Sequence, residues 1–249
     1  MKLKLLLLFS LYGLFARAQE EPTYEKKVKF GLKAGVNASL FTREVAPFDG
    51  ERSPKYADFL SYYRPSGMGG VTAQLTLNKH FSLGAEVIFN SRGMAFREPN
   101  QRVIIVDDEG NEEFAYTYFN YNIDYIEFPL MINYGFKPPA YKVMVMGYIG
   151  LAPGTVVNRK TKLRYEKSTD GSPSRGRNEQ ARLNSVNPFN TSLLAGVQIG
   201  EKNTDRATIF GDLRFSHTLL PVFERDKTLE GGNLKTHMFT ASMAFGVRF

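Results

Sequence analysis

Residues 237–249 constrain the fold more than any other stretch of this 249-residue chain. Phe239, Ala241, Met243, Phe245, Val247 and Phe249 are apolar, and they alternate with Met238, Thr240, Ser242, Ala244, Gly246 and Arg248, which are mostly small or polar. A period of two over this length makes a strand with one oily face and one small, wettable face. A soluble sheet can end this way. A polar inner side and an oily outer side suit a membrane barrel better.

Seven more segments repeat the alternation, at about 28–40, 67–78, 81–93, 121–136, 141–156, 190–200 and 207–220. The first is the cleanest: Val28, Phe30, Leu32, Ala34, Val36, Ala38 and Leu40 face one way, while Lys29, Gly31, Lys33, Gly35, Asn37 and Ser39 face the other. The fifth is the least clear, because both faces are apolar near residues 143–146. One such strand fits a sandwich as well as a barrel. The connections separate the two: 41–65, 94–120, 157–188 and 221–236 are long, whereas 78–80, 137–140 and 201–206 are short, and the two kinds alternate strictly. A membrane barrel has short turns on the periplasmic side and long loops outside. The expectation is therefore all-β, an eight-stranded antiparallel up-and-down transmembrane β-barrel with both termini periplasmic. The runs at 102–106 and 113–119 flank a turn-rich segment, which predicts a ribbon reaching beyond the membrane.

The N-terminus has the order of a secretory leader: Lys2 and Lys4, an 11-residue apolar run at 5–15, then Ala16, Arg17 and Ala18. Cleavage is expected before Gln19, giving a signal peptide at 1–18, a short periplasmic tail at 19–27 and a barrel domain at 28–249. The apolar run is too short to span a bilayer as a helix, and no other segment approaches the necessary length. Loss of Lys2, Lys4 and Arg17 with the leader lowers the formal charge from +7 to +4, a mild excess that gives no ground for nucleic-acid binding. Cysteine is absent, which removes disulfides, thiolate metal sites and an N-terminal lipid anchor.

The opening 29–37 (KFGLKAGVN), the segment 86–93 (EVIFNSRG), the segment 125–130 (YIEFPL) and the ending 245–249 (FGVRF) resemble the PorT-like outer-membrane β-barrel family. The resemblance covers residue 28 to the end. It implies the fold, and for one branch of the family it implies service in a secretion system. The last strand is also similar to the C-terminal signal of outer-membrane proteins, which implies that Met243, Phe245, Val247 and Phe249 address the barrel-assembly machinery.

The inward positions collect charge: Lys29, Lys33, Glu86, Glu127, Asp212, Arg214 and Arg248, with Gln74, Asn133 and Gln198. Eight strands leave an interior just wide enough for side chains to fill. Charges there must pair, because an isolated buried ion costs several kcal/mol. Lys33, Glu86, Glu127, Asp212, Arg214 and Arg248 are accordingly expected to form a structural network, with Glu86 and Glu127 as partners for Lys33 and Arg214. The alternative is a proton path or catalytic pair.

The third long connection holds eight Lys or Arg against three acids. Arg159, Lys160, Lys162, Arg164 and Lys167 are candidate anion ligands for lipopolysaccharide phosphate or an acidic glycan; the bland reading is a solvated loop. Tyr62, Tyr63, Tyr116, Tyr118, Phe119 and Tyr121 border the loops and suit an aromatic belt or a partner surface. Three scattered histidines provide no metal-ligand spacing. His217 and His237 share outward parity near the outer rim, with no serine or carboxylate to complete a catalytic set. The expected function is non-enzymatic, structural or interactive, without cofactor or metal. The expected partners are outer-membrane lipid, the assembly machinery and other envelope or secretion proteins. A lipid A- or glycan-modifying enzyme and a loop-based ligand binder are the alternatives.

Overall fold

The computed structural model describes residues 28–42, 60–78, 80–106, 109–136, 143–165, 179–182, 186–201, 207–223 and 236–249. The leader, the tail and Lys167 lie outside them. Ten segments are hydrogen-bonded, all antiparallel: β1 (Val28–Phe41), β2 (Leu60–Thr76), β3 (Phe81–Val106), β4 (Glu112–Glu127), β5 (Leu130–Phe136), β6 (Val143–Tyr165), β7 (Glu179–Arg182), β8 (Phe189–Glu201), β9 (Thr208–Thr218) and β10 (Met238–Arg248). They make eight staves. β4 and β5 form one stave, and β7 is a short annex on the outer part of β6. Around the wall the order is β2, β1, β10, β9, β8, β6, β4–β5, β3, and β3 returns to β2, so the sheet is a closed barrel.

The stave read as one strand over 121–136 begins earlier, at Glu112, and breaks at Phe128 and Pro129. Proline brings no N–H to a ladder. The wall stays bonded across the gap, because the Phe128 amide donates to the Pro153 carbonyl at 2.8 Å and the Glu86 amide donates to the Pro129 carbonyl at 3.0 Å.

The strand ends away from Phe249 are longer than the alternation alone suggests. β3 runs 26 residues, about 85 Å at ~3.3 Å per residue, whereas crossing a bilayer takes about 9–11. β3 and β4 continue paired up to Val106 and Glu112, which is the ribbon expected from sequence, with a register shift between Asn100 and Ile104. β6 continues beside β4 as far as Tyr165, so the start of the third connection is strand rather than loop. β2 likewise begins at Leu60 and pairs with β3 above a bulge between Tyr63 and Met68.

Side-chain polarity follows the wall. Along β9 and β10, buried Thr208, Asp212, Arg214, Thr240, Ser242 and Arg248 alternate with exposed Ile209, Leu213, Phe215, Phe239, Met243 and Phe245. This inversion of a soluble protein's pattern is what a hydrocarbon surround requires. Val28 and Phe249 lie at the same end, since β1 and β10 pair from Gly31 with Arg248 to Phe41 with Met238. At that end Tyr134 forms a rim with Phe81 (ring centroids 5.2 Å apart), Phe136 (5.3 Å) and His80 (5.7 Å).

A closed sheet with an apolar outer wall is expected to migrate anomalously on gels until boiled. Its strands should resist protease when the protein sits in membranes. Recovery of residues 19–249 as a soluble monomer without detergent would contradict the fold.

Candidate functional site

The lumen is the most built part of the molecule. Its middle layer joins four charges carried by three staves, β1, β3 and β9. The ammonium of Lys33 donates to Glu86 Oε1 and to Asp212 Oδ2, each at 2.8 Å. Arg214 Nη2 donates to Glu86 Oε2 at 2.9 Å and to Asp212 Oδ2 at 3.3 Å. The Tyr148 hydroxyl donates to Asp212 Oδ1 at 2.5 Å and accepts from Arg214 Nε at 3.0 Å. Two cations and two carboxylates thus close a neutral ring, with the side chains of Lys33, Glu86 and Asp212 at most 1% exposed. Each buried ion meets two opposite charges, the condition under which pairing offsets desolvation.

Room for this layer comes from glycine. A Cβ on Gly196 would collide with the Tyr148 phenol, and a Cβ on Gly246 would collide with the Phe210 ring, so these two positions let the large side chains lie across the bore.

Glu127 does not join that ring. It pairs instead with Arg92 at 2.8 Å, because the inward parity of β3 continues two residues past Asn90. Asn90 donates to Glu127 Oε2 at 2.8 Å and accepts from Asn37 at 2.6 Å, while Ser66 donates to Asn37 and Arg92 donates to Ser192 Oγ at 3.2 Å. Arg248 has no carboxylate partner within ion-pair distance among the described residues. Its two terminal nitrogens donate to Gln74 and Gln198, each at 2.5 Å, and its guanidinium lies 4.0 Å from the centroid of the Phe210 ring. Of the six network residues named from sequence, four meet and two have other partners; Arg92 was missing from the set.

Above the ions an apolar plug fills the bore at the end away from Phe249. Phe41, Met94, Tyr121, Ile123, Tyr125 and Met238 come from the staves, and Val186, Val222 and Phe223 fold in from the connections. Phe223 packs edge-on against Phe41 at 5.6 Å and Tyr121 at 6.4 Å, and a bridge between Val186 and Phe223 ties the two connections together. Tyr121, expected in an outer aromatic belt, is therefore inside and almost wholly buried. Only isolated apolar residues in otherwise polar stretches hinted at the plug.

The basic set divides. Arg159 turns inward and donates to the Val186 carbonyl at 2.6 Å, bracing the plug. Lys160 and Lys162 point out and are exposed. Arg164 continues β6 in register with Tyr118. Met243, Phe245 and Phe249 are exposed on the lipid side, with Val247 half-buried, and the Phe249 amide donates to the Phe30 carbonyl at 2.8 Å.

His217 and His237 do meet: their rings stack at 5.4 Å and 19° on the outward face. His237 Nδ1 lies 2.8 Å from the Thr218 carbonyl. Neither ring contacts a serine hydroxyl or a carboxylate among the described residues, where no group of three metal-binding side chains occurs either.

A closed, lipid-faced, charge-filled barrel defines a class, and the chain belongs to it. Residues 17–224 match the family described as outer membrane protein beta-barrel domain, and this is an integral outer-membrane protein of that family. No curated protein matches the sequence. Among solved structures it is similar to the outer membrane protein OprG from Pseudomonas aeruginosa (9% identity, TM-score 0.43, covering 90% of this chain and 97% of that one). It is also similar to Ail, the attachment invasion locus protein of Yersinia pestis (13% identity, TM-score 0.35, 90% and 99%), and to Neisserial surface protein A (13% identity, TM-score 0.36, 88% and 95%).

Two outcomes follow from the packed bore. Lys33→Met leaves two buried carboxylates sharing one cation and is expected to destabilise the barrel by about 3–5 kcal/mol, measured by urea unfolding in lipid vesicles. In planar bilayers the purified protein is expected to give no stable large conductance steps. Such steps would show that the bore opens.

Proposed function

We propose that this protein is a non-enzymatic outer-membrane barrel with a structural or interaction role, a subunit of a secretion or surface assembly. The observation that carries this reading is the filled bore. A lumen occupied by ion pairs below and an apolar plug above leaves the loops and the outer wall as working surfaces. The resemblance of 29–37, 86–93, 125–130 and 245–249 to the PorT-like family supports the choice of a secretion assembly. In this reading the leader at 1–18 exports the chain, the assembly machinery reads Met243, Phe245, Val247 and Phe249, and both termini face the periplasm. The barrel needs no cofactor.

The chemistry of the stacked histidines supports the same conclusion. A nucleophile and a base within hydrogen-bond reach are the signature of covalent catalysis. Among the described residues, His217 and His237 contact each other and a backbone carbonyl.

Affinity purification from the native membrane in mild detergent tests the assembly. The expected result is a stoichiometric envelope partner belonging to a secretion or surface complex. Repeated recovery of the barrel alone, together with binding of a defined glycan by its loops, would replace the subunit role with a receptor role. The His217→Ala/His237→Ala variant is expected to leave lipid A unchanged. A lipid A modification lost in that variant would make the protein an enzyme.

A further inference from the structure

The outward face of the wall changes chemistry along a single row. On the β3–β4–β6 side the lipid-facing positions are apolar through Phe89 on β3 and Ile126 on β4. The next row joins Ser91, Asp124 and Asn158, and Asn158 donates to Asp124 Oδ2 at 2.7 Å. From Phe136 to Ile126 the apolar stretch spans about 25 Å once a tilt of ~35–45° is allowed for, the height of the apolar band of a membrane barrel. The Ser91–Asp124–Asn158 row therefore marks the upper edge of the hydrocarbon.

Above that edge, β6 places Lys160 opposite Asn122 and Lys162 opposite Asn120. The bulge between Asp124 and Tyr125 sets this parity, which turns Lys160 and Lys162 outward while Arg159 faces in. Two and four residues beyond the edge correspond to about 5 and 10 Å along the membrane normal, the depth of the headgroup layer. Both lysines are exposed, and neither forms an ion pair among the described residues. Next on the same face comes Tyr118, followed by Tyr116. Their rings lie 6.5 Å apart, and the Arg97 guanidinium stacks 4.6 Å from the centroid of Tyr116. Cations at phosphate depth with amphipathic rings just above them match a phosphorylated sugar whose acyl chains lie against the wall below.

We propose that Lys160 and Lys162, with Tyr116 and Tyr118 above them, form a binding face for the phosphorylated headgroup of an outer-leaflet glycolipid. The acyl chains run down the apolar wall of β4–β5 and β6, past Ile126, Phe128, Leu130 and Ile149. Asp124 sits at the hydrocarbon edge with its carboxylate held by Asn158, below the phosphate. The lipid is a resident of the leaflet, so the face works without a soluble ligand.

The test uses the full processed chain in phosphatidylcholine vesicles containing either diphosphorylated lipid A or the same lipid A after phosphatase treatment. Lipid retained by the barrel is quantified by mass spectrometry after detergent extraction. The native protein is expected to prefer the phosphorylated form. Each lysine near an anionic surface is worth about five-fold in binding, so Lys160→Gln/Lys162→Gln is expected to weaken retention roughly 25-fold and to abolish the preference. Lys29→Gln, at the opposite end, removes equal charge and is expected to change retention less than two-fold. Heat-modifiable migration verifies that each variant is folded; if the double variant is not, each single variant should show its five-fold share. Undiminished retention in the lysine variants, an equal loss in Lys29→Gln, or capture of a soluble sulfated glycan without preference for lipid-borne phosphate would overturn the proposal.

Discussion

Closure of the sheet is the constraint on which everything else in this molecule depends. In hydrocarbon an unpaired backbone N–H or C=O costs several kcal/mol, so a spanning sheet is stable only when it has no edge. Here the edge is removed by one seam, β1 against β10, whose register runs unbroken from Gly31 with Arg248 to Phe41 with Met238. The same requirement explains why Pro129 is tolerated: its own carbonyl and the Phe128 amide find partners on β3 and β6, so the wall stays bonded there.

Closing eight staves leaves a narrow interior, and the chain fills it in two chemically distinct ways. The middle is ionic. Polar side chains inside a barrel leave the outer face free to be oily, and charge neutrality within the ring keeps burial tolerable. The end away from Phe249 is apolar, where connection residues fold back over the staves. Both layers hold the wall from within: Lys33, Glu86 and Asp212 brace β1, β3 and β9, and Arg92 reaches from β3 to Glu127 and on to Ser192 of β8.

Most of the wall was legible because alternation with period two is a local property. Once a strand's parity is assigned, the lumen residues follow, which is why Lys33, Glu86, Asp212 and Arg214 are identifiable from the sequence. What parity does not encode is which inward residues share a level, since that depends on the stagger between staves. Sequence parity accordingly does not show that Glu127 meets Arg92 rather than Lys33 or Arg214, and a β3 that ends near Gly93 leaves Arg92 out of the lumen. The outer extensions were obscured for another reason. Beyond the hydrocarbon edge neither face needs to be oily, so polar strand and polar loop look alike, as in the stretch from Arg159 to Tyr165. Tyr121 lies in the plug rather than the expected belt because an aromatic at a rim fits either, and the connections above it decide which.

The ion ring also has a consequence for the order of assembly. Lys33 enters with the first strand, and its partner Asp212 follows 179 residues later. Glu86 arrives in between, but Arg214, which balances it, comes with Asp212 on the penultimate stave. Until β9 is in place Lys33 and Glu86 have each other but lack the second partner that each has in the finished ring. Completion of the ring and disappearance of the sheet edges therefore fall together, on β9 and β10. Contacts of such long sequence separation form slowly. The ring is thus completed only shortly before the final hairpin zips the wall shut.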